Sequence, residues 1–389
     1  MKIFHLSDLH IGKQLNGYNL KENQEAVLNQ IVTYADLEKP DVILICGDIY
    51  DKTAPSAEAY TIFGNFLEEL SRISPRITVL IIAGNHDSPE RLSYAGPFLE
   101  KHSIHLSVMP PKNENEYLKK VVLHDEFGPV HFYLLPFLKP GYVRNVFPGH
   151  QPEGYESAVK EVLARETIDE GERNVLLSHQ FYAGGSKDPE TCESEQAVII
   201  AGGLDRVDVS VLPAFDYVAL GHLHGPQKVS KEWIRYCGTP FKYSVSEVHH
   251  KKAITVIHMG RKGESLSYNY LPLSGIQDVR REKGTLKEVL KRATEENCHD
   301  FVSVTLTDEE EPFRIREQLK EAYDHLLELK VENGRTREKL IEEEESIPVL
   351  NPMEAFSQFY KTVRGAEMTE EALHAMEQIV QEAKEEEGL

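Results

Sequence analysis

The sequence predicts a layered α/β fold of two packed sheets, then a small α+β unit and a helical tail. Three observations carry that prediction. Through the first 275 residues, short β-branched runs alternate with segments of helical period. Later strand-length runs follow one another with fewer helices between them, which adds a second sheet on the first. Near Leu273 the character changes, first to a mixed unit and then to helical periodicity alone. A chain of 389 residues exceeds one ordinary core, and the expected domains are 1–275, 276–345 and 346–389.

Lys2–Leu6, Asp41–Cys46, Ile77–Ala83, Val175–Ser178 and Tyr217–Leu220 are apolar runs too short for helices and bounded by Gly, Pro or Asp. They read as buried strands. Asn23–Asp36 and Ala57–Ser71 carry apolar residues at helical spacing and read as helices on the sheet faces. His131–Leu135, Ile234–Cys237, Ala253–His258 and Ser267–Leu271 are the runs that suggest the second sheet. The mixed unit holds a helix near Leu286–Ala293, a strand at Phe301–Leu306 and a helix at Pro312–Leu326. Glu342–Glu345 is a like-charge run, read as a solvated helix end or linker. Asn351 and Pro352 then form an N-cap and first turn, with Glu354 at the capping-box position. Met353, Phe356, Tyr360 and Val363 mark one apolar face up to Gly365, and Thr369 caps a second helix with Leu373, Met376, Ile379 and Val380 inward. The tail is thus expected to be a helical hairpin.

Composition is that of a globular chain, 40% hydrophobic and 28% charged, without an apolar run long enough to cross a bilayer. Asp8 and His10 interrupt the first apolar stretch, so no export signal is expected there. The four cysteines are scattered, which fits reduced thiols and a cytoplasmic location. The formal charge of −21 is unevenly spread. Residues 1–275 hold 27 basic against 35 acidic groups, and the remainder holds 16 against 29. The acidic excess belongs mainly to the tail, so DNA is not excluded as a substrate, but any basic groove must be local.

Five clusters carry the chemistry. Asp8-Leu9-His10 follows the first strand, and residues two apart in an extended chain face the same way. Gly47-Asp48 and Gly84-Asn85-His86-Asp87 follow the second and third strands. Ser178-His179-Gln180 and Gly221-His222-Leu223-His224 follow two later ones. Every cluster stands where a strand meets a loop, the edge at which α/β sheets place ligands. Asp8, Asp48, Asn85, His10, His179, His222 and His224 offer oxygen and nitrogen without thiolate, a set suited to Mn²⁺, Fe or Zn²⁺ rather than Ca²⁺. Seven donors are too many for one catalytic ion with an open position, and they suit two ions if one carboxylate bridges. Alone, each motif has an ordinary reading, since Gly-Asp after a strand is usually a turn. Five in this order at strand ends are a metal site. The other twelve histidines, among them His5, His131, His249 and His250, lack that setting and read as surface or packing residues.

The ordered series Asp8-x-His10, Gly47-Asp48-x-x-Asp51, Gly84-Asn85-His86-Asp87, His179 and Gly221-His222-x-His224 resembles the calcineurin-like metallophosphoesterase family. That family has a β-sandwich flanked by helices. Ala54-Pro55-Ser56, Leu135-Pro136-Phe137, Tyr236-Cys237-Gly238-Thr239-Pro240 and the segment from Lys242 to Glu247 resemble its DNA nucleases that work beside a coiled-coil ATPase. The likeness is specific over residues 1–250 and architectural over 276–340.

The resemblance implies one ion held by Asp8, His10, Asp48 and His224 and another by Asp48, Asn85, His179 and His222, with Asp48 as the bridge. It makes His86 a catalyst rather than a ligand, donating to a non-bridging oxygen or protonating the leaving oxygen. Asp87 would orient that imidazole or the loop, or serve structure alone. Mn²⁺ is the ion implied, with Mg²⁺, Fe and Zn²⁺ as alternatives. The metal core is shared by protein phosphatases, cyclic-nucleotide phosphodiesterases and nucleotidases, so it fixes the reaction and not the substrate. A small-substrate phosphatase is therefore the alternative reading.

For a nuclease, the resemblance implies double-strand 3'-5' exonuclease and single-strand or hairpin endonuclease activity in DNA repair, recombination and replication. It also implies an α+β cap domain, and a homodimer within a heterotetramer. Lys13, Lys52, Arg91, Lys139, Arg144, Lys187 and Lys242 lie in loops near the motifs and are candidate phosphate contacts, although each alone reads as an ordinary surface charge. Two short amphipathic helices cannot stand alone in water. The resemblance docks them on the coiled-coil ATPase, the alternative being their own catalytic domain. The chain has no GxxxxGK[ST] sequence, so dependence on ATP would come from that partner.

Overall fold

A computed structural model describes residues 1–184, 188–196, 205–213, 215–310 and 312–332, with Ser357, Tyr360, Met368, Thr369, Ala372, Leu373 and Met376 beyond them. Apart from those seven, the helical tail of 346–389 lies outside the described residues, as do Lys187 and the Glu342–Glu345 run.

Continuous apolar strands have no polar face to offer water, so they bury both sides. Val42–Cys46 is buried along all five residues and Arg173–Ser178 along all six. Such strands form the centres of two six-stranded sheets. The first runs Ser267–Pro272, Ala253–His258, Lys2–Leu6, Val42–Cys46, Thr78–Ile82, Ile104–Ser107, with the last four parallel. The second runs Gln227–Val229, Lys231–Tyr236, Tyr217–Leu220, Arg173–Ser178, Gly128–Leu135, Lys119–Asp125. Its middle four strands are parallel and its two edges antiparallel.

Alternation along each strand sends neighbours to opposite faces and builds three apolar layers. Between the sheets, Ile3, Leu44 and Leu80 meet Phe132, Val175 and Ala219. Behind the first sheet, Phe4, Ile43 and Ile45 share a cluster with Val27 and Ile31 of helix Lys21–Glu38 and with Phe63 and Phe66 of helix Ala57–Arg72. Behind the second, Tyr133, Leu176 and Val218 share one with Val159 and Val162 of helix Tyr155–Ala164. Ser56, in the Ala54-Pro55-Ser56 segment, starts the Ala57 helix by accepting the Ala59 N–H at 3.1 Å. The result is the β-sandwich flanked by helices that the sequence predicts.

Two assignments change. Ala253–His258 and Ser267–Pro272 are strands, but they extend the first sheet, with His258 opposite Lys2. An apolar run announces strand character and carries no mark of its partner. The second sheet is completed instead by Lys119–Asp125, whose mixed polar sequence suits an edge.

The small α+β part forms a three-stranded sheet of Val279–Gly284, Phe301–Leu306 and His325–Val331, with helices Leu286–Arg292 and Ile315–Ala322. The expected helix to Leu326 stops at Ala322, because Leu327, Leu329 and Val331 alternate with Glu328 and Lys330 and suit a strand. By internal contacts the described residues form two compact units. One is Met1–Glu282 with Lys287–Val304 and Arg316–Leu329, and the other is Lys283–Leu286, Thr305–Ile315 and what is described from Lys330 onward. Among the described residues no helix is long and apolar enough to cross a membrane.

Candidate metal centre

The parallel strands of both sheets end on one edge, and the five clusters meet there. The turns after them are tight. Asp8, His10 and Asp48 have φ of 53°, 43° and 51°, and His222 has 97°, all in the left-handed region that side chains disfavour. Backbone bonds between loops hold them there. Asp8 N–H donates to Gly47 O at 2.9 Å and His10 N–H to Asp48 O at 3.0 Å. Two glycines are required by space. A Cβ at Gly47, where φ is +90°, would overlap the His179 ring, and one at Gly84 would overlap the Asp48 carboxylate. Gly84→Ala is therefore expected to displace Asp48 and to abolish metal uptake, measured as bound metal per chain in folded protein.

All seven predicted donors converge. Asn85 Oδ1 is 3.1 Å from His179 Nε2 and 3.0 Å from His222 Nδ1, and Asp48 Oδ2 is 3.3 Å from His179 Nε2. On the other side, His10 Nε2 and His224 Nε2 are 3.2 Å apart, and His10 Nε2 is 3.8 Å from Asp48 Oδ2. Asp8 groups with His10 and His224, and separately with Asp48 and His179, each set of donor atoms lying within 4.8 Å of one another. Donors about 2.0–2.2 Å from a shared ion stand roughly 3.0–3.5 Å apart, so the spacings among Asn85, His179, His222 and Asp48 and between His10 and His224 suit edges of a coordination shell.

The electrostatics ask for positive charge. His179 Nδ1–H donates to the Cys46 carbonyl at 2.7 Å, so a neutral ring turns its Nε2 lone pair toward the oxygens of Asn85 and Asp48. A cation at their centre reconciles three acceptors. Where no ion is bound, a proton answers the same demand. Burial alone would lower His179, but the Asp48 carboxylate outweighs it and pushes the imidazole up to about 9. Burial would raise Asp48, and the His179 charge instead carries it well below the usual carboxylate range. Burial holds Asp8 above that range, and burial with the His179 charge lowers His222 to about 3. Two buried polar nitrogens, His222 Nε2 and His10 Nδ1, have no hydrogen-bond partner among the described residues. The donor set fits divalent metal ions.

His86 stands apart from the donors. Its Nδ1–H donates to the Asp51 carbonyl at 2.8 Å, which turns Nε2 toward the centre, 4.0 Å from Asp48 Oδ2. Its side chain is 24% exposed, whereas that of Asp48 is 3% exposed. Asp87 lies behind the loop. Its carboxylate accepts the N–H groups of Gly84 at 2.9 Å, Tyr50 at 3.0 Å and Ile49 at 3.2 Å. Burial, then the Asp48 charge, raises it to about 6. Of the roles left open for Asp87, those bonds suit holding the loop.

Several partners carried no assigned role in the sequence. Asp51 fixes the His86 ring through its carbonyl, and its carboxylate pairs with Lys13 at 2.8 Å and faces His10 Nδ1 at 3.7 Å. Ser194, Glu195, Glu247 and Lys252 surround His224. Only Asp51 and Glu247 stood in a recognised motif. Of the candidate phosphate contacts, Lys13 and Lys242 are engaged in ion pairs, Lys242 with Asp278 at 2.8 Å.

Fold and donors together define a metal-dependent phosphoesterase. Residues 1–226 match the calcineurin-like phosphoesterase family, and residues 276–364 match a family described as the type 5 capsule protein repressor C-terminal domain. Among curated relatives, the SbcD component of the SbcCD nuclease of Staphylococcus epidermidis is 32% identical over 332 residues, 85% of each chain. Its namesake from Staphylococcus saprophyticus is 29% identical over 386 residues, 98% of each chain. The chain belongs to the calcineurin-like phosphoesterase family, in its SbcD branch.

Proposed function

We propose that the chain is the nuclease subunit of a two-component assembly, hydrolysing DNA phosphodiesters at a centre of two divalent ions. The reaction rests on one observation, the convergence of Asn85, His179 and His222 donors beside the buried Asp48 carboxylate. DNA as the substrate is supported by the likeness, over nearly the whole chain, to relatives named for a nuclease. Asp8, His10, Asp48 and His224 would hold one ion and Asp48, Asn85, His179 and His222 the other, with Asp48 shared. Bound there, two ions would supply Lewis acidity and water that deprotonates readily. Mn²⁺ is the expected ion.

The chain's own residues do the remaining work. His86 donates an Nδ1–H hydrogen bond to the Asp51 carbonyl, so Nε2 is the atom that would act, as a proton donor to a phosphate oxygen or the leaving oxygen. Asp87 would keep the loop that presents it. We assign to the chain double-strand 3'-5' exonuclease and single-strand or hairpin endonuclease activity, with an SbcC-type coiled-coil ATPase bound by the residues of 346–389. Domains at 1–275 and 276–345, the second as a cap, and a homodimer within a heterotetramer belong to the same proposal.

The test is an assay on linear duplex DNA, hairpin DNA and a cyclic nucleotide with Mn²⁺, with and without the ATPase and ATP. Cleavage of the DNA substrates alone is expected. Turnover of the cyclic nucleotide with both DNAs intact would overturn the proposal in favour of a small-substrate phosphatase.

A further inference from the structure

His224 is gripped by groups that no strand-end motif contains. Its N–H donates to Glu195, and its carbonyl accepts from Lys252 Nζ at 3.0 Å. On the ring, Nδ1 lies 2.8 Å from Ser194 Oγ and 3.2 Å from Glu247 Oε1. The Ser194 hydroxyl donates to that same Glu247 oxygen at 2.9 Å, which leaves its lone pairs to accept from Nδ1–H. The second Glu247 oxygen takes the Lys252 ammonium at 2.6 Å, and both side chains are buried.

We propose that Ser194, Glu247 and Lys252 are positioning residues that lock His224 in its Nδ1–H tautomer and thereby set the affinity of the ion His224 holds. The proposal rests on the two-ion reading given above and adds to it what governs one of the sites.

Three considerations favour it over a purely structural role. A buried Lys–Glu pair is a poor device for stability, because desolvation offsets its attraction and an apolar pair of similar volume serves a core as well. An apolar pair cannot orient an imidazole. Next, the hydrogen-bonded form of the arrangement belongs to one ligand. His179 Nδ1 meets a neutral carbonyl, and His222 Nε2 has no hydrogen-bond partner among the described residues. His10 Nδ1 faces the Lys13-paired Asp51 carboxylate at 3.7 Å, beyond hydrogen-bond reach, whereas His224 has a buried charged pair in direct contact. Finally, an anionic acceptor behind an imidazole raises its basicity and fixes its ring, and losing such a partner typically weakens metal binding about 10–100-fold.

The experiment uses the full chain, stripped of metal and titrated with Mn²⁺ by calorimetry, as wild type, Ser194→Ala, Ser194→Thr and Glu247→Gln. Two binding steps are expected for wild type. In Ser194→Ala and Glu247→Gln one step should weaken about 10–100-fold while the other holds, and Ser194→Thr, which keeps the hydroxyl, should recover most of the loss. Imidazole ¹⁵N spectra of the metal-free chain should show His224 protonated at Nδ1 in wild type and a mixed tautomer in Glu247→Gln. Unchanged affinities with a lowered metal-free Tm would make the cluster a structural staple and overturn the proposal. A wild-type chain that binds fewer than two ions would overturn the underlying two-ion reading instead, and this is read from wild type alone.

Discussion

An Asp48→Ala chain is expected to bind neither metal ion and to lose essentially all phosphodiester hydrolysis. The Asp48 carboxylate lies between the two donor groups, with Oδ2 3.3 Å from His179 Nε2 and 3.8 Å from His10 Nε2. Removing it subtracts a donor from both sides. It also takes from the buried His179 the neighbouring carboxylate whose charge raises the basicity of that ring. Asp48 Oδ1 accepts the His86 N–H at 2.9 Å, so the loop carrying the proposed catalyst loosens as well. A two-ion clamp supplies several kcal/mol to the transition state, and at about 1.4 kcal/mol per factor of ten its loss costs three to four orders of magnitude in rate. Elemental analysis after dialysis against Mn²⁺ reads the binding directly. A full complement of two ions in this variant would remove Asp48 from the bridging position.

His86→Ala should separate binding from turnover. Its ring is not among the seven donors, so both ions should remain, while the rate falls about 10²–10⁴-fold, the usual contribution of a positioned general acid. Substrate choice refines the test. If His86 protonates the leaving oxygen, a diester with a good leaving group such as p-nitrophenolate should suffer little from the substitution, and DNA should suffer most. If His86 instead stabilises charge on a non-bridging oxygen, both substrates should slow alike. Full DNA cleavage by His86→Ala would exclude it from the chemistry.

The candidate donors that converge were legible in the sequence because each is a local event. Asp8 and His10, or His222 and His224, stand two residues apart just past a strand, and strand, turn and spacing are all written in consecutive residues. Asn23–Asp36 and Ala57–Ser71 were legible for the same reason, since an amphipathic period declares a helix without a partner. What surrounds the donors is not local. The Cys46 carbonyl reaches His179 from 133 positions away, and Glu247 reaches His224 from 23. A carbonyl has no residue code, and a buried glutamate looks in sequence like an exposed one. Strand pairing failed likewise, because nothing in Ala253–His258 names Lys2–Leu6 as its neighbour. Asp87 shows a subtler limit. Its place beside His86 left orienting and structural roles open, and nothing in the local sequence told that its oxygens accept three main-chain amides of the loop.

The left-handed backbone at Asp8, His10, Asp48 and His222 carries an evolutionary consequence. Glycine would sit more easily in each of these conformations, by something on the order of 1 kcal/mol per position. Selection for metal binding at these positions would therefore work against a standing thermodynamic preference at four places. A duplicated copy released from that selection would gain stability by drifting toward glycine there. Such glycines in a diverged paralogue would mark a relative retained for shape or assembly after its chemistry had lapsed.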